Sequence, residues 1–142
     1  MSALPYILQG FYDALNTNEL AWAELRIGPV QLNSRENICY IESGPTIEYE
    51  ERGGNRIQSA EIILSIQRTA TNRTDLSGIE VASDALDLIL DSVDTNRTLQ
   101  TRCESILPLR TDIFYDDKEG MQSVKMQITY SVRFARTRRR AR

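Results

Sequence analysis

From Ser123 to Phe134 every second residue is apolar: Val124, Met126, Ile128, Tyr130, Val132 and Phe134 alternate with Ser123, Lys125, Gln127, Thr129, Ser131 and Arg133. A period of two held this long belongs to a strand with one buried and one polar face, because successive side chains on extended backbone point to opposite sides. Such a strand needs hydrogen-bonding neighbours along its length and an apolar layer over its buried face.

Further strand segments precede it in the sequence. Leu107, Leu109, Ile113 and Tyr115 share one parity, completed by Thr111, and Asp116-Asp117-Lys118-Glu119-Gly120 supplies a turn into the alternating strand. Upstream, Ile47 and Tyr49 alternate with Glu48 and Glu50. Gly53-Gly54-Asn55 is a turn signal, and Ile57 to Thr69 resumes as a strand through Ile62, Leu64 and Ile66. These segments read as two long hairpins, with Ile38 to Ile41 as a further short apolar strand. The stretch Leu20 to Val30, which holds Trp22 and ends in Gly28-Pro29, carries no period that assigns it.

Two segments change to helical spacing. Leu4, Ile7, Leu8, Phe11 and Leu15 predict a helix from about Pro5 to Asn16, with Pro5 in the first turn, where its missing N–H costs nothing. Leu76, Ile79, Ala82, Leu86, Ile89, Leu90 and Val93 predict a second, capped by Asp75 or Ser77 and running to Asp94. The fold class is therefore α+β: an antiparallel sheet of two long hairpins with two helices packed on one face. The hairpins are long for so small a body, and long strands that overhang a small core find partners in another chain. With 142 residues, 41% of them hydrophobic, the chain fits one domain over residues 1–136 followed by an arginine-rich tail at 137–142.

The net charge of −3 conceals a division. The last ten residues hold six arginines and no acid, leaving 11 basic against 20 acidic side chains in the other 132 residues. Arg133, Arg136, Arg138, Arg139, Arg140 and Arg142 form a basic ending that can neutralise nucleic-acid phosphates without reading sequence, or dock on an acidic neighbour. Glu80, Asp84, Asp87, Asp91 and Asp94 recur at spacings of four and three, one acidic stripe along the second helix. One helix cannot surround a divalent ion, so a solvated or partner-facing surface is expected rather than a metal site.

Catalysis is not expected. The chain has no histidine, which removes the commonest general base and metal ligand, and no Walker A, G-x-G-x-x-G or G-x-S-x-G pattern occurs. No cofactor is implied. Cys39 and Cys103 match no zinc-site spacing and are expected as free buried thiols within strand regions. Thr71-Asn72-Arg73-Thr74 and Thr95-Asn96-Arg97-Thr98 contain glycosylation sequons but read as loop chemistry at the ends of the second helix. Met1 to Leu8 carries no Lys or Arg ahead of its apolar stretch, so no signal peptide and no membrane association are expected.

The element order resembles that of the tail terminator proteins of tailed bacteriophages, small subunits related to other proteins of the head–tail junction. The matching parts are an N-terminal helix (Leu4 to Leu15), a hairpin (about Thr46 to Thr69), the linker Thr71-Asn72-Arg73-Thr74-Asp75 with the helix Leu76 to Val93, and a strand pair ending in Val124 to Phe134. The resemblance implies a non-enzymatic virion subunit assembled in the host cytoplasm into a homo-oligomeric ring, typically a hexamer. Such a ring caps the tail tube, meets the tail tube protein and the head connector or stopper protein, and passes DNA through its lumen without sequence specificity. A stopper or tail-completion ring protein is a near neighbour, and a nucleic-acid-binding accessory protein using the basic ending is the alternative of another class. The arginine-rich ending departs from the family's pattern.

Overall fold

A computed structural model describes residues 3–16, 22, 24–28, 38–71, 77–95, 103–118 and 121–136. The elements are α1 (Ala3–Leu15), β1 (Glu24–Ile27), β2 (Ile38–Arg52), β3 (Asn55–Thr71), α2 (Ser77–Asp94), β4 (Ser105–Lys118) and β5 (Met121–Arg136). The strands make one five-stranded sheet in the order β1-β2-β3-β5-β4. β1 runs parallel to β2 and every other pairing is antiparallel.

The first hairpin turns on Gly53-Gly54, at φ 52° and 84°, between the paired residues Arg52 and Asn55. Positive φ at both central residues gives the turn whose twist matches the strands it joins, and glycine adopts it without steric cost. β2 runs unbroken from Ile38 to Arg52, so Ile38–Ile41 and the Ile47–Glu50 segment belong to one strand. They are separated by an irregularity between Ser43 and Ile47, opposite Glu61. Gly44 sits there because nothing larger fits: a Cβ at this position would lie 2.9 Å from the Glu61 Cβ. Pro45 suits the same spot, since a bulge needs no ladder donor from it.

The two hairpins lie side by side. β3 and β5 pair from Arg56 opposite Arg136 to Thr71 opposite Met121, which puts the two hairpin turns at opposite ends of the sheet.

Both helices cover one face of this sheet, α1 over β1 and β2, α2 over β3 and β5, each touching the other. Ile7, Phe11 and Leu15 of α1 and Ala82, Ala85, Ile89 and Val93 of α2 close on Cys39 and Ile41, on Ala60, Ile62, Leu64 and Ile66, and on alternate residues of β5 from Val124 to Phe134. The six apolar residues of the alternating strand are all buried, and Phe11 meets Tyr130 with ring centroids 5.5 Å apart. Fully burying an aliphatic side chain of this size stabilises by about 1.5–3 kcal/mol. Ile79, expected on the covered face of α2, is half-exposed instead, while Leu86 and Leu90 are partly buried against the core. Leu76, Asp75 and most of both sequon tetrapeptides lie outside the described residues.

Helix ends are tied down locally. The Trp22 indole Nε1 donates to the Leu15 carbonyl at 3.1 Å, using an oxygen that the last turn of α1 leaves without a partner. At the end of α2, the Thr95 amide and hydroxyl both donate to Asp91 O, at 3.0 and 2.7 Å. The Arg68 guanidinium lies 4.9 Å from the centroid of the Trp22 ring, and burial lowers its pKa.

Three sequence expectations change. The unassigned Leu20–Val30 stretch contains β1, in which Leu25 packs toward the core, and this parallel strand makes the sheet mixed rather than purely antiparallel. Cys103 precedes β4 instead of lying in a strand. The third change is in β4. Its ladder shifts between Pro108 and Arg110, leaving Leu109 as the extra residue. Ile106 and Pro108 therefore share the helix-covered side with Thr111, Ile113 and Tyr115, and Leu107 is turned to the other face. A single parity from Leu107 to Tyr115 does not exist, because one inserted residue reverses every side chain beyond it.

Candidate functional site

β4 is an edge strand: among the described residues it pairs only with β5. The helices pack mainly over the other four strands, and Ile106 of β4 is partly buried against the core. The remaining apolar side chains of β4 are open on both faces. Leu107 is 61% exposed, Phe114 59%, Leu109 47%, Tyr115 45% and Ile113 38%. Residues of these types in a folded monomer concentrate in the interior, and a contiguous exposed group of them is the kind of surface at which proteins meet other molecules. The backbone adds a second attraction, since the outer side of an edge strand presents unpaired N–H and C=O groups. Arg110 and Asp112 stand on this strand as a loose ion pair, 3.8 Å apart and both well exposed.

The opposite edge, β1, is four residues long. Arg26 bonds Glu24 at 3.1 Å, and the Tyr40 hydroxyl donates to the other Glu24 oxygen at 3.1 Å. Ile27, 37% exposed, is its one open apolar side chain among the described residues.

The charged residues singled out in the sequence take separate places. Glu80, Asp84, Asp87, Asp91 and Asp94 are all exposed along the outer side of α2. Among the described residues no three His, Cys, Asp or Glu side chains are grouped to hold a metal ion. Arg133 belongs to β5 and not to a tail: its guanidinium bonds Glu50 at 2.9 Å, and its carbonyl accepts the Glu104 amide at 2.8 Å. Arg136 ends β5 in register with Arg56. Arg138, Arg139, Arg140 and Arg142 lie outside the described residues.

Neither thiol is prepared for nucleophilic work. Cys39 and Cys103 are free and buried. Burial pushes Cys39 up to about 12, with Arg68 opposing it, and pushes Cys103 up to about 11. Burial, and then the Asp94 carboxylate, raises the Tyr130 hydroxyl, which has no hydrogen-bond partner among the described residues. No described helix is long and apolar enough to cross a membrane.

Sequence reasoning missed the β4 surface, although a signal was present. Pro108 cannot donate to a ladder, so a proline inside a strand pattern marks an edge strand or a bulge, and here it marks both.

No protein-family model matches the sequence, and neither does any curated protein. Among solved structures the chain is similar to one from the virion of the native gene transfer agent (GTA) particle, with a TM-score of 0.45 and 9% identity over 89% of this chain and 94% of that one.

Proposed function

We propose that this protein is a structural subunit of a virion, a tail-terminator-like ring protein that caps the tail tube, joins it to the head connector and lets DNA pass through its lumen. The observation that carries the reading is the β4 edge, fourteen residues long and apolar on both faces, a surface suited to a permanent neighbour. The order of helix, hairpin, helix and hairpin agrees with the resemblance in the sequence. An acidic outer face on α2 repels the DNA phosphates, which suits a lumen or rim that DNA must slide past.

The test is the mass of the purified protein by light scattering across concentration, with negative-stain imaging of the same sample and a tube-capping assay. The expected result is a closed ring, six copies around a hole, that halts elongation of tail tubes when added to polymerising tube protein. A monomer that neither caps tubes nor enters particles, but binds DNA with a steep salt dependence lost on deleting residues 137–142, would replace this reading with a nucleic-acid-binding one.

A further inference from the structure

We propose that β4 of one subunit pairs with β1 of the next, so that the five-stranded sheet continues across the subunit boundary; this rests on the ring reading. Strand direction makes the pairing possible. β1, β2 and β5 run one way and β3 and β4 the other. A second copy set beside β4 in the same sense therefore presents β1 antiparallel to it. Because the contact joins two different surfaces, it is head-to-tail and closes into a ring when the rotation allows.

Face and charge together select the register. By their ladder partners Cys39 and Met126, Leu25 and Ile113 stand on the helix-covered face, while Arg26 and Asp112, opposite Tyr40 and Gln127, stand on the other. An odd shift would set buried faces against polar ones. Among even shifts, placing Leu25 opposite Ile113 also sets Arg26 opposite Asp112 and Ile27 opposite Thr111. Sliding two residues one way sets Arg26 against Arg110 and Glu24 against Asp112. Sliding two the other way sets Leu25 against Tyr115 and Ile27 against Ile113, but it loses the Arg26–Asp112 pair and places Glu24 opposite Asp116, acid facing acid. One register thus joins apolar to apolar and cation to anion, and it uses the most exposed residues of β1 together with a β4 carboxylate that is half-exposed in the subunit. Pro108 and the Leu109 bulge limit the pairing to the β4 segment that follows them.

The test is disulfide trapping of the full-length protein. Residues directly opposite in an antiparallel pair have Cα atoms about 4.5–5.5 Å apart, within disulfide range. Asp112→Cys and Arg26→Cys proteins, mixed and mildly oxidised, should give a cross-linked dimer that neither gives alone. A chain carrying both substitutions should give a ladder ending in a closed covalent ring. Cys39 and Cys103 are buried and do not compete. As a second arm, Asp112→Arg should weaken association about tenfold through like-charge repulsion, and adding Arg26→Asp should restore it. Asp112→Cys protein that cross-links to itself as readily as to the Arg26→Cys protein would overturn the proposal in favour of two β4 edges meeting. Rings by imaging without the Asp112–Arg26 cross-link would overturn the edge pairing and leave the ring. No rings and no cross-link would overturn both.

Discussion

The sheet ends differently on its two sides. On the β1 side a four-residue strand carries one ion pair, a tyrosine hydroxyl bond and a single open isoleucine. On the β4 side a strand of fourteen residues exposes leucines and aromatic rings on both faces. Folded chains usually blunt their edges with short strands, charges, prolines or bulges. β1 is blunted by shortness. β4 has a proline and a bulge, but these interrupt only its first part and leave Arg110 to Lys118 as regular edge. Apolar side chains held in water contribute little to the stability of the isolated subunit, so the exposed part of β4 adds little to folding. In the proposed assembly they are covered by the short edge of a neighbour.

Truncating side chains in the middle and at the edge of the sheet should separate the two regions most strongly. Tyr130→Ala and Phe134→Ala should each cost about 3–5 kcal/mol in denaturant unfolding, since both side chains are buried. Phe114→Ala should cost under about 1 kcal/mol in the same assay, as substitutions at exposed sites do. Equal losses would mean that β4 is covered within the monomer. Next comes association. Phe114→Asp should weaken self-association by at least about tenfold while leaving unfolding nearly unchanged, because in the proposed register it removes an apolar ring and sets an acid opposite Glu24. A dissociation constant equal to that of the unaltered chain would remove Phe114 from the interface.

The thiols sharpen the comparison of the two sides. Cys39, in β2, stands beside Leu25 of β1, and Cys103 stands at the entrance to β4. Burial raises both above the ordinary thiol value of 9.0, the first to about 12 and the second to about 11. Folding therefore favours the protonated thiols. Their contribution to stability is complete below about pH 9, where the unfolded thiols are also protonated, and is lost as pH rises from 9 toward the folded values, because the unfolded chain releases those protons first. In native protein at pH 8 a thiol reagent should modify Cys103 slowly and Cys39 only on global unfolding. Faster reaction at Cys39 would show that the β1 side opens before the β4 side. The smallest effect expected is that of Glu50→Gln, which removes the partner of Arg133. This half-exposed pair should be worth roughly 0.2–1 kcal/mol and less in high salt.

Much of this fold was legible because periodicity reports burial directly. Alternate residues from Val124 to Phe134 lie on one covered face as their spacing required, and the Gly53-Gly54 turn and the Asp94 end of α2 stand where their chemistry placed them. What was not legible depended on irregularities that periodicity cannot carry. The Leu109 bulge inverts the parity of β4, and the Gly44-Pro45 irregularity made one strand look like two. β1 is too short to show a period, and its place comes from packing against β2. The acidic stripe of α2 could be read from spacing alone, since helix geometry fixes it. The open β4 surface could not, because whether an alternating apolar residue is covered depends on how far the helices extend across the sheet.

Amide hydrogen exchange along β4 and β1, compared between dilute subunit and assembled protein, reads the proposed edge contact residue by residue. Assembly through these edges should slow exchange in the β4 segment after Leu109 and in Glu24–Ile27 together, while the sheet centre, already protected, changes little. If assembled protein exchanges its β4 amides as fast as the dilute subunit does, the edge is not the contact and the account is wrong.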